Sequence, residues 1–289
     1  MSVRAFFLPA ADGGQRYCLH HRAQDTPRGA VLYVPPFGDE MNKARRMAAL
    51  QARALAQHGI DVLQIDLLGC GDSSGNSGDA RLAAWRDDLA LGADWLVTQT
   101  GYRPQLLGLR LGALLALDFA LHRPAACTQV IMWQPVIDGV AFVTALYRQQ
   151  LAGRMLEAAD GIPGTTTGGA LAALRARVLA GAPLEVGGYL LDPALLGAIE
   201  ALALARLVHA AHPLHWYDIG AAGRAPAPST TALLRDWRAA GVAVHYQPLD
   251  GPPFWLTPEI STCLPLLAAT VATALAPIPT VMPEPDHAI

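Results

Sequence analysis

Residues 106–123, LLGLRLGALLALDFALHR, combine an apolar strand, a turn of the form Gly-x-x-x-Gly and an apolar helix. A serine at the centre of such a turn is lifted clear of the backbone, where a histidine can take its proton and let it attack an acyl carbon. The central residue here is Arg110, with Gly108 and Gly112 on either side. A guanidinium keeps its proton in any protein and has no lone pair with which to attack. It can hold a carboxylate or phosphate through two parallel hydrogen bonds, or steady negative charge as it develops. It can also be purely structural, paired with a nearby carboxylate; the sequence leaves both roles open.

Two other residues could carry a reaction without a serine. Cys70, in GCGDSS, is a nucleophile only if a base or local positive charge lowers its pKa. Arg110 could supply the charge, but no histidine is placed to move the proton. Asp218, in HWYDIG, could hold a water, pair with Arg110 or bind a substrate hydroxyl, and Asp138, in QPVIDG, is a second strand-end carboxylate. Ser73 and Ser74 read as cap or turn residues, and His245 as a residue inside a strand.

These groups need a scaffold. RAFFLPA and QRYCLHHRA read as a hairpin turning at Asp12-Gly13-Gly14. GAVLYVPPFGDE (29–40) is a buried strand ending in a Pro-Pro loop, followed by a helix over 42–59 with Asn42 as its N-cap and Gly59 as its stop. IDVLQIDLLGCGDSSG (60–75) is a strand opening into a Gly/Ser loop, and 81–99 is the next helix. After the Arg110 turn comes a strand over 129–139. This alternation predicts right-handed βαβ units and a mostly parallel sheet with helices on both faces. Residues 140–211 break the rhythm, being Ala/Leu-rich and helical with an interruption at DGIPGTTTGGA. Strands at 212–220 and 242–251, a helix over 231–240 and another near 259–276 complete the pattern.

Hydrophobic residues make up 52% of the 289, ample for a large core. With 21 basic and 24 acidic residues the formal net charge is −3, which leaves no electrostatic footprint for nucleic acid. Four scattered cysteines argue against a disulfide framework or zinc site. No cofactor or metal is expected. Without a secretory signal or an uninterrupted apolar span, the sequence predicts a cytoplasmic protein.

DLLGCGDSSG resembles the D-x-x-G-x-G-x-S loop after the fourth strand of α/β-hydrolases, and GLRLG stands one βα unit later, where their nucleophile elbow belongs. PPFGDEMNKARRM, GLRLGALLAL, MWQPV and GPPFW together resemble the second of two hydrolase-like proteins associated with exosortase A systems, over about residues 1–275. The resemblance implies an α/β-hydrolase fold: a mostly parallel central sheet flanked by helices, with a helical cap insertion. The core would be 1–139 and 212–277, the cap 140–211 and the Pro-rich tail 278–289. It also implies a setting in bacterial exopolysaccharide export and protein sorting, whose machinery would be the partner.

In these hydrolases the histidine follows the last strand; here that place reads DGPPFW, with Pro253 where the histidine would stand. One oxyanion-hole N–H comes from the loop after the third strand. Since Pro35 and Pro36 have none, Phe37 or Gly38 must supply it. The same loop brings Asp39, Glu40, Asn42, Lys43, Arg45 and Arg46 to the cleft mouth. Helix-start chemistry accounts for Asp39, Glu40 and Asn42, yet a buried arginine needs a carboxylate. Glu40, Asp39 and Asp218 are the candidates. Phe37, Glu40, Arg110, Trp133, Gln134 and Trp255, with Tyr147 and Phe254, would line a crevice for a small anionic or carbohydrate-related ligand. A non-triad hydrolase or acyltransferase and a non-catalytic interaction protein are the alternatives.

Overall fold

The computed structural model describes residues 2–157, 167–207 and 212–277. An antiparallel hairpin, β1 (Val3–Pro9) and β2 (Gln15–His21), opens the chain. Strands and helices then alternate: β3 (Gly29–Val34), α1 (Asp39–Gln57), β4 (Ile60–Ile65), α2 (Leu82–Thr100), β5 (Gln105–Leu109), α3 (Leu111–His122) and β6 (Val130–Trp133). Between β6 and the next strand of the sheet lie α4 (Gly139–Glu157), α5 (Thr167–Leu179), β7 (Leu184–Val186), β8 (Tyr189–Leu191) and α6 (Pro193–Glu200). β9 (Leu214–Gly220), α7 (Pro228–Ala239), β10 (Val244–Asp250) and α8 (Leu264–Leu275) follow.

The eight-stranded sheet has the order β1-β2-β4-β3-β5-β6-β9-β10. β2 pairs antiparallel with β1 and β4, and every pairing from β4 to β10 is parallel. This is the α/β-hydrolase fold. β3 is buried along its whole length, and its alternate residues serve opposite faces. Leu32 and Val34 belong to the core cluster that holds Trp85 of α2, Leu114 of α3 and Trp237 of α7, while Val31 and Tyr33 belong to the one that holds Met47 of α1 and Leu266 of α8. No described helix is long and apolar enough to cross a membrane.

Several boundaries differ from the sequence expectation. α1 starts at Asp39, and Asn42 lies inside it rather than capping it: the Asn42 amide donates to the Tyr189 hydroxyl at 3.1 Å. β6 ends at Trp133 rather than running to 139, because Gln134 turns the chain with φ 41°. The inserted segment is not wholly helical. Gly187 and Gly188, at φ 57° and 82°, form the two-residue loop that joins β7 to β8, both with the positive φ that such hairpins require. The DGIPGTTTGGA interruption falls mostly, and the Pro-rich tail wholly, outside the described residues.

Candidate functional site

The turn between β5 and α3 has the backbone of a nucleophile elbow. Arg110 sits at φ 57°, ψ −119°, a region that strains any residue with a Cβ. Its N–H donates to the Trp133 carbonyl at 3.0 Å, and its own carbonyl accepts from Ala113 and Val136 at 3.1 Å. Both flanking glycines are sterically required. A Cβ on Gly108 would stand 2.5 Å from the Ala113 Cα, and one on Gly112 would stand 2.3 Å from the Val34 and Pro35 carbonyl oxygens. So the Gly-x-x-x-Gly spacing brings α3 hard against β3 and β5 and forces residue 110 out of the turn.

The carboxylate that meets Arg110 is Glu40. Arg110 Nε donates to Glu40 Oε1 at 3.1 Å, and Nη1 reaches the Gln134 carbonyl at 3.4 Å. The guanidinium carbon lies 5.6 Å from the centre of the Trp255 ring, within cation–π range. The contact is end-on, through one nitrogen and one oxygen. Glu40 Oε2 is buried without a hydrogen-bond partner. Burial raises the Glu40 carboxyl above its ordinary value, and the nearby Arg110 charge opposes that rise. Asp39, the second candidate, pairs instead with Lys43 at 2.8 Å.

Arg110 and Glu40 face a cavity of about 330 Å³. Phe37, Gly38 and Trp255 line it from the sheet side, while Phe142, Leu146 and Gln149 of α4 and Tyr189 and Leu191 of β8 line it from the inserted segment. Among the described residues, no serine, cysteine or histidine lines this cavity. The hairpin is tied down at three points. Besides Tyr189–Asn42, Ser77 Oγ accepts from the Leu190 N–H at 3.0 Å and donates to its carbonyl at 3.1 Å, and Arg81 pairs with Asp192 at 2.8 Å.

The structure thus brings four sequence-predicted residues to one cavity, Arg110, Glu40, Phe37 and Trp255, and puts others elsewhere. Trp133 is fully buried on the α8 face of the sheet, its indole N–H donating to Thr270 Oγ1 at 2.9 Å. Gln134 contributes its carbonyl to Arg110, but its side-chain oxygen accepts from the Ile219 N–H at 2.6 Å. Tyr147 and Phe254 are core residues. Asp218 does not meet Arg110; it accepts from the Tyr246 hydroxyl at 2.6 Å and Arg224 at 3.1 Å, in a separate depression with Gly220 and Pro248. Asp138 accepts from the Ala141 N–H at the start of α4.

Cys70 lies in the loop after β4, where burial and the charges of Asp66 and Asp88 push its thiol up to about 12. At neutral pH it is a thiol, the opposite of an activated nucleophile. Ser73 Oγ accepts from the Tyr17 N–H and donates to the Asp66 carbonyl, and Ser74 Oγ accepts from the Gln15 N–H. They fasten this loop to β2. His245 stacks on His215 with ring centres 5.0 Å apart, on the outer strands β9 and β10. Tyr189, Gln149 and Leu191 were not foreseen as lining residues; the Gly187-Gly188 pair was the available signal, since it marks the hairpin that presents Tyr189.

The carboxyl esterase of Bacillus coagulans, solved with glycerol, is 15% identical, with a TM-score of 0.58 over 87% of this chain and 91% of that one. Est1E of Butyrivibrio proteoclasticus, solved with ferulic acid, is 12% identical, with a TM-score of 0.63 over 93% of this chain and 96% of that one. An alpha-beta serine hydrolase homologue from Coxiella burnetii is 13% identical, with a TM-score of 0.55 over 96% and 99%. At these identities the likeness is one of fold. No curated protein matches the sequence. The family model described as Serine aminopeptidase, S33 (Hydrolase_4) matches residues 25–214, more than half of the chain. With that match and the elbow geometry together, the chain belongs to this family of the α/β-hydrolase superfamily.

Proposed function

We propose that this protein binds a small anionic or carbohydrate-related ligand above Arg110 and has given up serine-triad hydrolysis. The observation that carries this reading is the elbow residue itself: an arginine, end-on to Glu40, faces a cavity with no serine, cysteine or histidine in its described lining. Pro252 and Pro253, in the loop after β10, have no group that could move a proton. The motifs shared with exosortase A-associated hydrolases support a place in exopolysaccharide export or protein sorting, on the cytoplasmic side, with that machinery as partner. A hydrolytic route through Cys70 or Asp218 has less support, since one is a buried thiol and the other lies in a different depression.

Thermal unfolding of the purified protein against a panel of carboxylates, phosphates and neutral sugars tests this reading. A true ligand raises the Tm by mass action, and Arg110→Ala removes the rise. In parallel, nitrophenyl esters, acyl thioesters and acetylated sugars are expected to show no turnover above a protein-free blank. Turnover that disappears in Arg110→Ala or Cys70→Ala would overturn the proposal and assign that residue to a non-triad mechanism.

A further inference from the structure

The Arg110 cavity has a neighbour of about 380 Å³, and Phe37, Gly38 and Tyr189 line both. The second cavity is completed by Asn42 and Arg45 of α1 and by the loop after β4, which contributes Asp72, Asn76 and Ser77. Tyr189 is the wall between them. Its hydroxyl is held by Asn42, and a Cβ on Gly38 would stand 3.9 Å from its ring.

The two cavities differ in chemistry but agree in charge. Outside its two ion pairs, the first is walled mainly by apolar and aromatic side chains. The second shares Phe37 and Tyr189 with it and adds Met41 and Cys70, but also the amides of Asn42 and Asn76, the Ser77 hydroxyl and the backbone of a glycine-rich loop. In the first, Asp39 is matched by Lys43 and Glu40 by Arg110. In the second, Arg45 and Asp72 supply one charge of each sign. Neither described lining has a net charge.

We propose that one uncharged amphiphile occupies both cavities, its apolar chain beside Arg110 and a hydroxyl-bearing head among Asn42, Asp72 and Asn76, crossing the Tyr189 ring. The proposal rests on the reading of the Arg110 cavity as a ligand site and selects, within it, the uncharged class. An anionic head in the second cavity would meet the Asp72 carboxylate as well as Arg45, and one in the first would have to displace Glu40 from Arg110 or lie beside it unopposed, at a cost in electrostatic energy. A hydroxyl faces no such cost and both donates and accepts, as the amides of Asn42 and Asn76 do.

Calorimetric titration of the full chain with octyl glucoside below its micelle concentration, octanoate, 1-octanol and glucose tests this. Octyl glucoside is expected to bind wild type about tenfold more tightly than octanoate, and glucose to give no measurable heat. Asp72→Ala changes an exposed side chain; it should weaken octyl glucoside several-fold and leave 1-octanol unchanged. Glu40→Gln, which leaves Arg110 uncompensated, should shift preference toward octanoate. Octanoate binding wild type as tightly as octyl glucoside would overturn the uncharged-head inference while leaving Arg110 as an anion anchor. An unchanged octyl glucoside affinity in Asp72→Ala would place the head outside the second cavity and overturn it too. Failure of every probe to bind wild type overturns the two-cavity proposal; the broader reading then stands or falls by the ligand panel and Arg110→Ala.

Discussion

Two arginines of this molecule sit in opposite circumstances. Arg16, on β2, is 1% exposed and clamped between two carboxylates, Nε to Asp88 and Nη2 to Asp12, each at 2.5 Å. Asp88 in turn accepts from the Leu68 N–H at 2.7 Å, so this cation fixes the loop after β4 as well. Arg110 has one carboxylate, an end-on contact at 3.1 Å, and a side chain 23% exposed to a cavity. Where a guanidinium serves the fold, acids close around it. Where it has one acid, an aromatic face and open space, it keeps the capacity to bind something else.

The comparison can be broken most directly at Arg16. Arg16→Met should cost about 3–5 kcal/mol, because Asp88 is left buried without its cation; urea unfolding reads this. Glu40→Gln should cost far less, about 1 kcal/mol, as expected for a part-exposed pair. A loss as large as that of Arg16→Met would make Arg110 a second structural arginine. Arg110→Gly sharpens the point further. Its positive φ suits glycine, so Arg110→Gly should be more stable than Arg110→Ala by about 1 kcal/mol, and neither should bind ligand.

The smallest effect concerns a pair of potential cations with no acid between them. Burial, with a smaller push from His245, lowers the His215 pKa to about 4. A histidine whose folded-state pKa lies below its unfolded value takes up protons preferentially on unfolding. Its neutral form thus favours the fold fully above about pH 6.5, and that contribution is lost as pH falls toward 4, by about 1 kcal/mol after allowing for partial exposure. Chemical denaturation at pH 7 and pH 4.5 should show this slope, and His245→Gln should flatten it slightly.

Much of the scaffold was legible because it rests on local rules. Buried runs alternating with helices foretold the parallel sheet, and the two glycines around Arg110 foretold the elbow. Side-chain direction was harder. Trp133 stands on the α8 face because strand parity puts it with Ile131, and parity cannot be read without knowing where β6 ends. Asp218 stood among the candidates for Arg110 because nothing in HWYDIG announces its partners Tyr246 and Arg224. The hairpin escaped notice since two three-residue strands leave almost no periodicity in an Ala/Leu-rich stretch. Glu40 was one of three carboxylates left open, and only the path of α1 chose among them.

The β7–β8 hairpin is held by Leu184, Val186 and Leu191 in the core and by three polar ties at its rim. Asn42–Tyr189, Ser77–Leu190 and Arg81–Asp192 join residues more than a hundred positions apart, and each is a partly hydrated contact of about 1 kcal/mol or less. Their combined rupture costs less than unfolding the sheet. On the proposed reading, ligand exchange should follow local opening of this wall, and hydrogen exchange at the Leu190 amide, which donates to Ser77 Oγ, would read that opening.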